Sequence, residues 1–291
     1  MISAIVDYEF LQNAFASGLI IGLVAPALGL FIVVRRLALI ADALSHVALA
    51  GIAGSLFLSQ NVTAFAALNP LYLGIGSSVA GSLLIDRLRE LYKSYEELAI
   101  PIIMSGGIAL GAIFISLAQG FSTDLVGYLF GSVSAVGRED LYTILAVAVI
   151  TILFIVLTYK ELFSMSFDPE YSRAQGISSR ALNIGFMVVT ALVVAGSMRI
   201  VGILLVSSLM TIPVAPAMQI AKGFRQAMLY AAVFGELSVL GGLFAAFYLD
   251  LAPGGTIVVI SITILLLVLG GKKLAASRSA ARNEEVETGE L

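Results

Sequence analysis

The 291-residue chain has no cysteine, no tryptophan and one histidine, and only 12% of its residues are charged. Without cysteine there is no disulfide framework, no iron–sulfur cluster and no thiolate metal site. A single histidine excludes every site that needs two, HExxH among them. A soluble domain carries about 25% charged residues. Half that supply cannot cover a water-facing surface, so a soluble globular enzyme is excluded. The net charge of −3 is too small to suggest nucleic acid or bulk anionic lipid as a partner. Disorder is excluded too, because it requires low hydrophobicity and high net charge.

What is present is apolar: 59% of residues, with a mean hydropathy of +1.03. A spanning helix needs about 20 mainly apolar residues. Nine candidate spans follow, at 11–34, 37–59, 66–85, 100–120, 141–159, 182–198, 200–221, 226–249 and 255–270. These runs are continuous and about twice strand length, so helices are expected rather than a barrel of alternating strands. The expected fold is an all-α polytopic membrane protein, with a membrane part at 1–271 and a polar tail at 272–291. The tail is mixed in charge and reads as a solvated, disordered end.

Basic residues prefer the cytoplasmic side. With the N-terminus outside, 14 of the 16 lysines and arginines fall inside, leaving Arg138 and Arg199 outside. The stretch Met1 to Phe10 carries Asp7 and Glu9 and no basic residue, unlike a secretory signal peptide. Gly18/Gly22, Gly107/Gly111 and Gly127/Gly131 have the spacing that lets membrane helices approach closely. Pro26 is expected to interrupt the first span, and Pro213 and Pro216 the seventh.

An ionisable residue within a membrane is costly and usually faces a pathway or a partner. Asp42 and His46 lie in the second span and Glu236 in the eighth. Spacing of four puts Asp42 and His46 on one helix face. A carboxylate and an imidazole together make half of a first-row divalent metal site. Glu236 sits at a depth similar to His46, so three groups from two helices are expected to converge. A blander reading stays open, in which Asp42 caps its helix, His46 packs against it, and Glu236 is a neutral packing residue.

Between spans five and six, Asp168 suits a helix N-cap, Pro169 its first position, Glu170 its first turn, and Gly176 its stop. A two-turn helix at about 169–175 is expected outside the membrane, as an ordinary structured loop or as a docking element for a cytoplasmic protein. The chain has no GxxxxGK[ST] phosphate-binding loop. If transport is ATP-driven, the ATPase is another polypeptide.

Several runs together resemble the ABC-3 family of bacterial zinc and manganese permeases. They are VVRRLALIADALSH from Val33 to His46, Leu129 to Ser132, Phe167 to Glu170 with Gly176, Met198 to Ser207, and Tyr248 to Thr256. The resemblance covers residues 10 to 270 and is nearest to the zinc-uptake permeases of Gram-positive bacteria. It implies a fold similar to the vitamin B12-type (type II) ABC importer. It implies a homodimer with two cytoplasmic ATP-binding subunits and an external metal-binding protein, ATP being used by the partner. The transported ion would be Zn2+ or Mn2+, with no permanently bound cofactor. Asp42 and His46 match residues proposed to meet the metal, and 168–176 matches a coupling helix seated on the ATPase. Glu236 comes from depth alone. Two rivals are a permease for a metal chelate such as a siderophore, and a proton-coupled secondary transporter relaying through Asp42 and Glu236.

Overall fold

The computed structural model describes residues 8–62, 68–92, 94–118 and 123–289. Residues 1–7, 66–67 of the third expected span, 119–120 of the fourth, and Lys93 lie outside the described residues, as do the side chains of Arg173, Arg278 and Arg282. Among the described residues the chain is helical and has no strand.

The long helices are α1 (Glu9–Val34), α2 (Ile40–Asn61), α3 (Pro70–Leu91), α4 (Ala99–Leu117), α6 (Arg138–Leu157), α9 (Ser179–Val201), α12 (Phe224–Leu249) and α13 (Pro253–Gly289). Shorter ones join them: α5 (Thr123–Phe130), α7 (Tyr159–Phe167), α8 (Pro169–Ala174), α10 (Val206–Thr211) and α11 (Val214–Ile220). Seven of the long helices are apolar enough to cross a membrane by length and composition; α3 is less so. Its Ser78 and Ser82 turn inward, where Ser78 donates to the carbonyls of Leu44 and Ala191 and Ser82 to that of Val79. The seventh expected span is α10 and α11 in succession, broken at Pro213. The chain is thus a multi-pass membrane protein whose count of about nine spans includes one discontinuous crossing.

Burial separates centre from periphery. In their apolar windows α1 and α2 are 67% buried and α9 is 72% buried, whereas α4 and α13 are only 22% and 17% buried. The exposed residues of the outer helices are themselves apolar, as with Ile150, Leu153, Val156 and Leu157 on α6. Such a surface suits lipid and not water. On one side α2 packs against α3 and α4; on the other α1 packs against α12, which in turn carries α13. Helices α9 and α10 tie the two sides together.

In lipid, helix association depends on close packing rather than on expelling water. Gly107 therefore matters, since a Cβ there would lie 2.8 Å from the Val47 amide nitrogen. Gly18 and Gly22 face side chains of α12 instead, Leu243 and Val239 at Gly18 and Glu236 and Val239 at Gly22. The third glycine pair does not act as a helix stripe. Gly131 lies beyond α5 at φ +80 and meets the Ile200 carbonyl.

One expectation is corrected. Pro26 does not interrupt α1, which runs unbroken from Glu9 to Val34. Proline cannot donate to the Gly22 carbonyl, and the Cβ-less Gly235 of α12 lets a neighbouring backbone close over that spot: a Cβ there would sit 2.3 Å from the Gly22 oxygen. Beyond residue 271, α13 continues to Gly289. Residues 272–288 contain neither glycine nor proline and are rich in Ala, Lys, Arg and Glu, all good helix formers.

The two outer basic residues are each matched by an acid. Arg138 pairs with Glu9, and Arg199 with Asp140 at 2.9 Å.

Candidate functional site

Asp42 lies in the first turn of α2, where the helix dipole favours a carboxylate. Its Oδ1 accepts a hydrogen bond from Ser207 Oγ at 3.1 Å. Ser207 is the second residue of α10, which follows the turn made by Gly202 at φ +86. That turn swings the chain back so that α10 packs against both α1 and α2. The approach to α1 depends on Gly29, where a Cβ would sit 1.8 Å from the Met210 carbonyl oxygen.

His46 is one turn further along the same face of α2. It is half-buried, as are Asp42, Ser207, Ser208 and Thr211. Among the described residues it makes no hydrogen bond, so its ring nitrogens are available. Thr211 Oγ1 donates to the Ser207 carbonyl, one turn back along α10. A partly open polar seam thus runs along α2 and α10 in a protein with few polar residues to spare. Carboxylate, imidazole and hydroxyl oxygen are donors that a hard or borderline divalent cation accepts.

Glu236 is not part of that seam. Its carboxylate packs on Gly22 of α1, and its Oε2 is buried without a hydrogen-bond partner among the described residues. Among those residues no three His, Asp or Glu side chains come together as a metal cluster. The expected convergence of Asp42, His46 and Glu236 therefore does not occur within one chain. Glu236 belongs to α12, which packs on α1 and α13.

The segment at 168–176 forms as its sequence suggests. Asp168 Oδ1 accepts from the Tyr171 amide at 2.8 Å, Pro169 opens α8, and Gly176 follows at φ +79. Sequence reasoning missed α7, which precedes α8 and holds it through the Ser164 and Ser172 hydroxyls, 2.8 Å apart. Beside this hairpin, Arg35 donates to Asn183, whose amide donates to Asp86 at 2.8 Å. These bonds join the inner ends of α1, α9 and α3. Burial, and then the neighbouring Arg89, lower the Arg35 pKa to about 10, with Asp86 acting in the opposite sense; the guanidinium remains charged at neutral pH.

Ser207 was the other residue missed. It closes one of the family-like runs, but nothing in that run indicates its contact with Asp42, 165 residues away.

Known proteins agree with this architecture. The chain is 34% identical to the manganese import system permease protein ScaB of Streptococcus parasanguinis, over 91% of this chain and 92% of that one. It is 31% identical to the high-affinity zinc uptake system membrane protein ZnuB of Haemophilus influenzae, over 90% and 97%. Among solved structures, PsaBC of Streptococcus pneumoniae in complex with Fab matches with TM-score 0.79 and 29% identity, over 92% of this chain and 93% of that one. An inward-facing ABC transporter matches with TM-score 0.62 over 92% and 88%; at 15% identity it shows the shared type II permease fold alone. The family model described as the ABC 3 transport family matches residues 7–271, and with nearly the whole described membrane part accounted for, the chain belongs to that family.

Proposed function

We propose that the chain is the membrane subunit of an ABC importer that carries a divalent first-row metal ion into the cell. One observation carries this reading: Asp42 and His46 share a half-open face of α2 beside Ser207 of a discontinuous helix, in a chain of the ABC 3 transport family. Two permease copies would face each other along these seams, with the ion passing between them. A metal-binding protein outside delivers the ion. ATP-binding subunits inside act on α8, the exposed helix capped by Asp168 and ended by Gly176, and their hydrolysis opens the seam inward.

Few ligands per chain suit a transported ion, which has to leave as well as enter. A closed four-ligand site would hold zinc as a structural metal. The relatives' names divide between manganese and zinc, and imidazole with carboxylate accepts both. The resemblance to zinc-uptake permeases therefore extends to a zinc or manganese cargo. Membership in this family speaks against a proton-coupled secondary transporter, and free ionisable donors on the seam favour a bare ion over a chelate.

The test is uptake of radioactive zinc and manganese by cells expressing the whole transporter. Asp42→Ala and His46→Ala each cut uptake at least tenfold while assembly with the ATPase is retained. Unchanged uptake in both variants removes the proposed site. Uptake of a metal chelate in preference to the free ion transfers the function to the chelate class.

A further inference from the structure

A second polar feature lies at the inner end of the bundle, away from the α2–α10 seam. A recess of about 670 Å³ opens between α7 and the turn joining α11 to α12. Lys160, Lys222 and Arg225 line it together with Tyr159, Phe163 and Phe224. No carboxylate is among its lining residues. Arg225 lies over the Tyr159 ring at 5.6 Å, and the Lys222 amide donates to Gln226 Oε1 at 2.8 Å, which fixes the turn. Beneath the charges is an aromatic floor: the Phe163 ring centroid is 5.2 Å from that of Phe224 and 4.8 Å from that of Phe167. Phe167 is 60% exposed, although it is a large apolar ring.

The general preference for basic residues inside accounts for three cations on this side of the membrane. It does not account for their gathering without acids over exposed aromatic rings. The neighbouring inner cavity, of about 910 Å³, is different. There Arg89 pairs with Glu96 and Arg180 with Glu90. Among the described residues none of Lys160, Lys222 and Arg225 has a carboxylate within ion-pair distance. The overall net charge of −3 conceals this local excess.

We propose that the recess is a binding site for the phosphate group of an anionic membrane lipid. The three cations would hold the phosphate at headgroup level, and Phe163 and Phe167 would cover the upper acyl chain. Basic pockets between membrane helices on the cytoplasmic side recognise anionic headgroups in this way. The amino end of α12, starting at Phe224, adds a partial positive charge from the same direction. The exposed aromatic rings favour a lipid over a free phosphate ion, which has no use for an apolar wall.

The experiment uses the full-length chain purified in detergent, with native mass spectrometry and thermal unfolding as readouts. Phosphatidylglycerol is compared with phosphatidylcholine and with inorganic phosphate. Phosphatidylglycerol is expected to bind and raise Tm while the other two do not. Lys160→Gln, Lys222→Gln and Arg225→Gln each weaken its binding roughly fivefold, and the triple variant on the order of 100-fold. Lys222→Arg keeps the charge and keeps binding, which separates recognition from misfolding. Removal of three cations elsewhere, as Arg36→Gln, Arg87→Gln and Lys273→Gln together, leaves binding intact.

Equal binding of phosphatidylcholine overturns the proposal, as does unchanged binding in the triple variant or equal loss in the control variant. Stabilisation by inorganic phosphate assigns the recess to a free anion instead. A triple variant that keeps its lipid but loses assembly with the ATPase assigns the recess to that protein.

Discussion

Arg199 on α9 and Asp140 on α6 form an ion pair of 2.9 Å. The Asp140 side chain is 2% exposed, and its Oδ2 also accepts from the Gly137 amide at 2.9 Å. Tyr128 lies against the guanidinium at 5.4 Å. The pair thus joins two long helices and the segment between α5 and α6.

Removing one partner of such a pair leaves the other charge buried alone. Arg199→Met is expected to lower stability by about 3 kcal/mol, read as a fall in Tm in detergent. The double variant Arg199→Met with Asp140→Leu is expected to recover most of that loss, because no unpaired charge remains. A double variant as unstable as the single one would refute the electrostatic account.

Two glycines of α1 have different neighbours. At Gly29 an added Cβ meets the Met210 backbone at 1.8 Å, whereas at Gly22 it meets the Glu236 side chain at 3.3 Å. A side chain can move aside and a backbone cannot. Gly29→Ala is therefore expected to destabilise by about 1–3 kcal/mol, as overpacking does, and to loosen α10 from α1. Gly22→Ala is expected to change Tm little. Limited proteolysis near residues 202–213 reports the loosening directly.

Much of this architecture was legible in the sequence, for physical reasons. Long apolar runs have no alternative to a lipid-spanning helix, and so α1, α2, α9 and α12 appear close to their expected limits. Asp168, Pro169 and Gly176 announce α8 because capping is local chemistry. Relations across the chain were less visible. Hydropathy gives the depth of Glu236 but not the side of α12 on which it projects. Nor does it reveal Ser207 beside Asp42, which depends on how Gly29 seats α10. Pro26 was expected to break its helix because the compensating partner, Gly235, is 209 positions away.

The hydrogen bond from Ser207 to Asp42 has its own expected consequence. Ser207→Ala leaves Asp42 in place but removes its donor, so metal uptake should fall less than with Asp42→Ala. A several-fold rise in the half-saturating metal concentration with near-normal maximal uptake is expected. Loss of maximal uptake as great as that of Asp42→Ala would make Ser207 a principal ligand instead.

At the inner face, Asp168→Ala removes an N-cap at a cost of about 1 kcal/mol to the end of α8. Gly176→Val forces a branched residue into a left-handed conformation, which L side chains resist. Both variants are expected to retain metal binding and to lose metal-stimulated ATP hydrolysis in the assembled transporter, Gly176→Val the more severely. Retained stimulation in both would remove α8 as the coupling element.

The continuity of α1 across Pro26 has a mechanical side. Its Gly22 carbonyl has no helical donor, so one fewer backbone bond resists bending at this level than elsewhere in the helix. The first two-thirds of α1 pack against α12, while the remaining third carries Gly29, and through it α10, at one end and Arg35 at the other. A tilt of that short arm would shift the hydroxyl of Ser207 relative to Asp42 and pull on the Asn183–Asp86 tether together, so a single helix would tie the seam to the end of the bundle that carries α8.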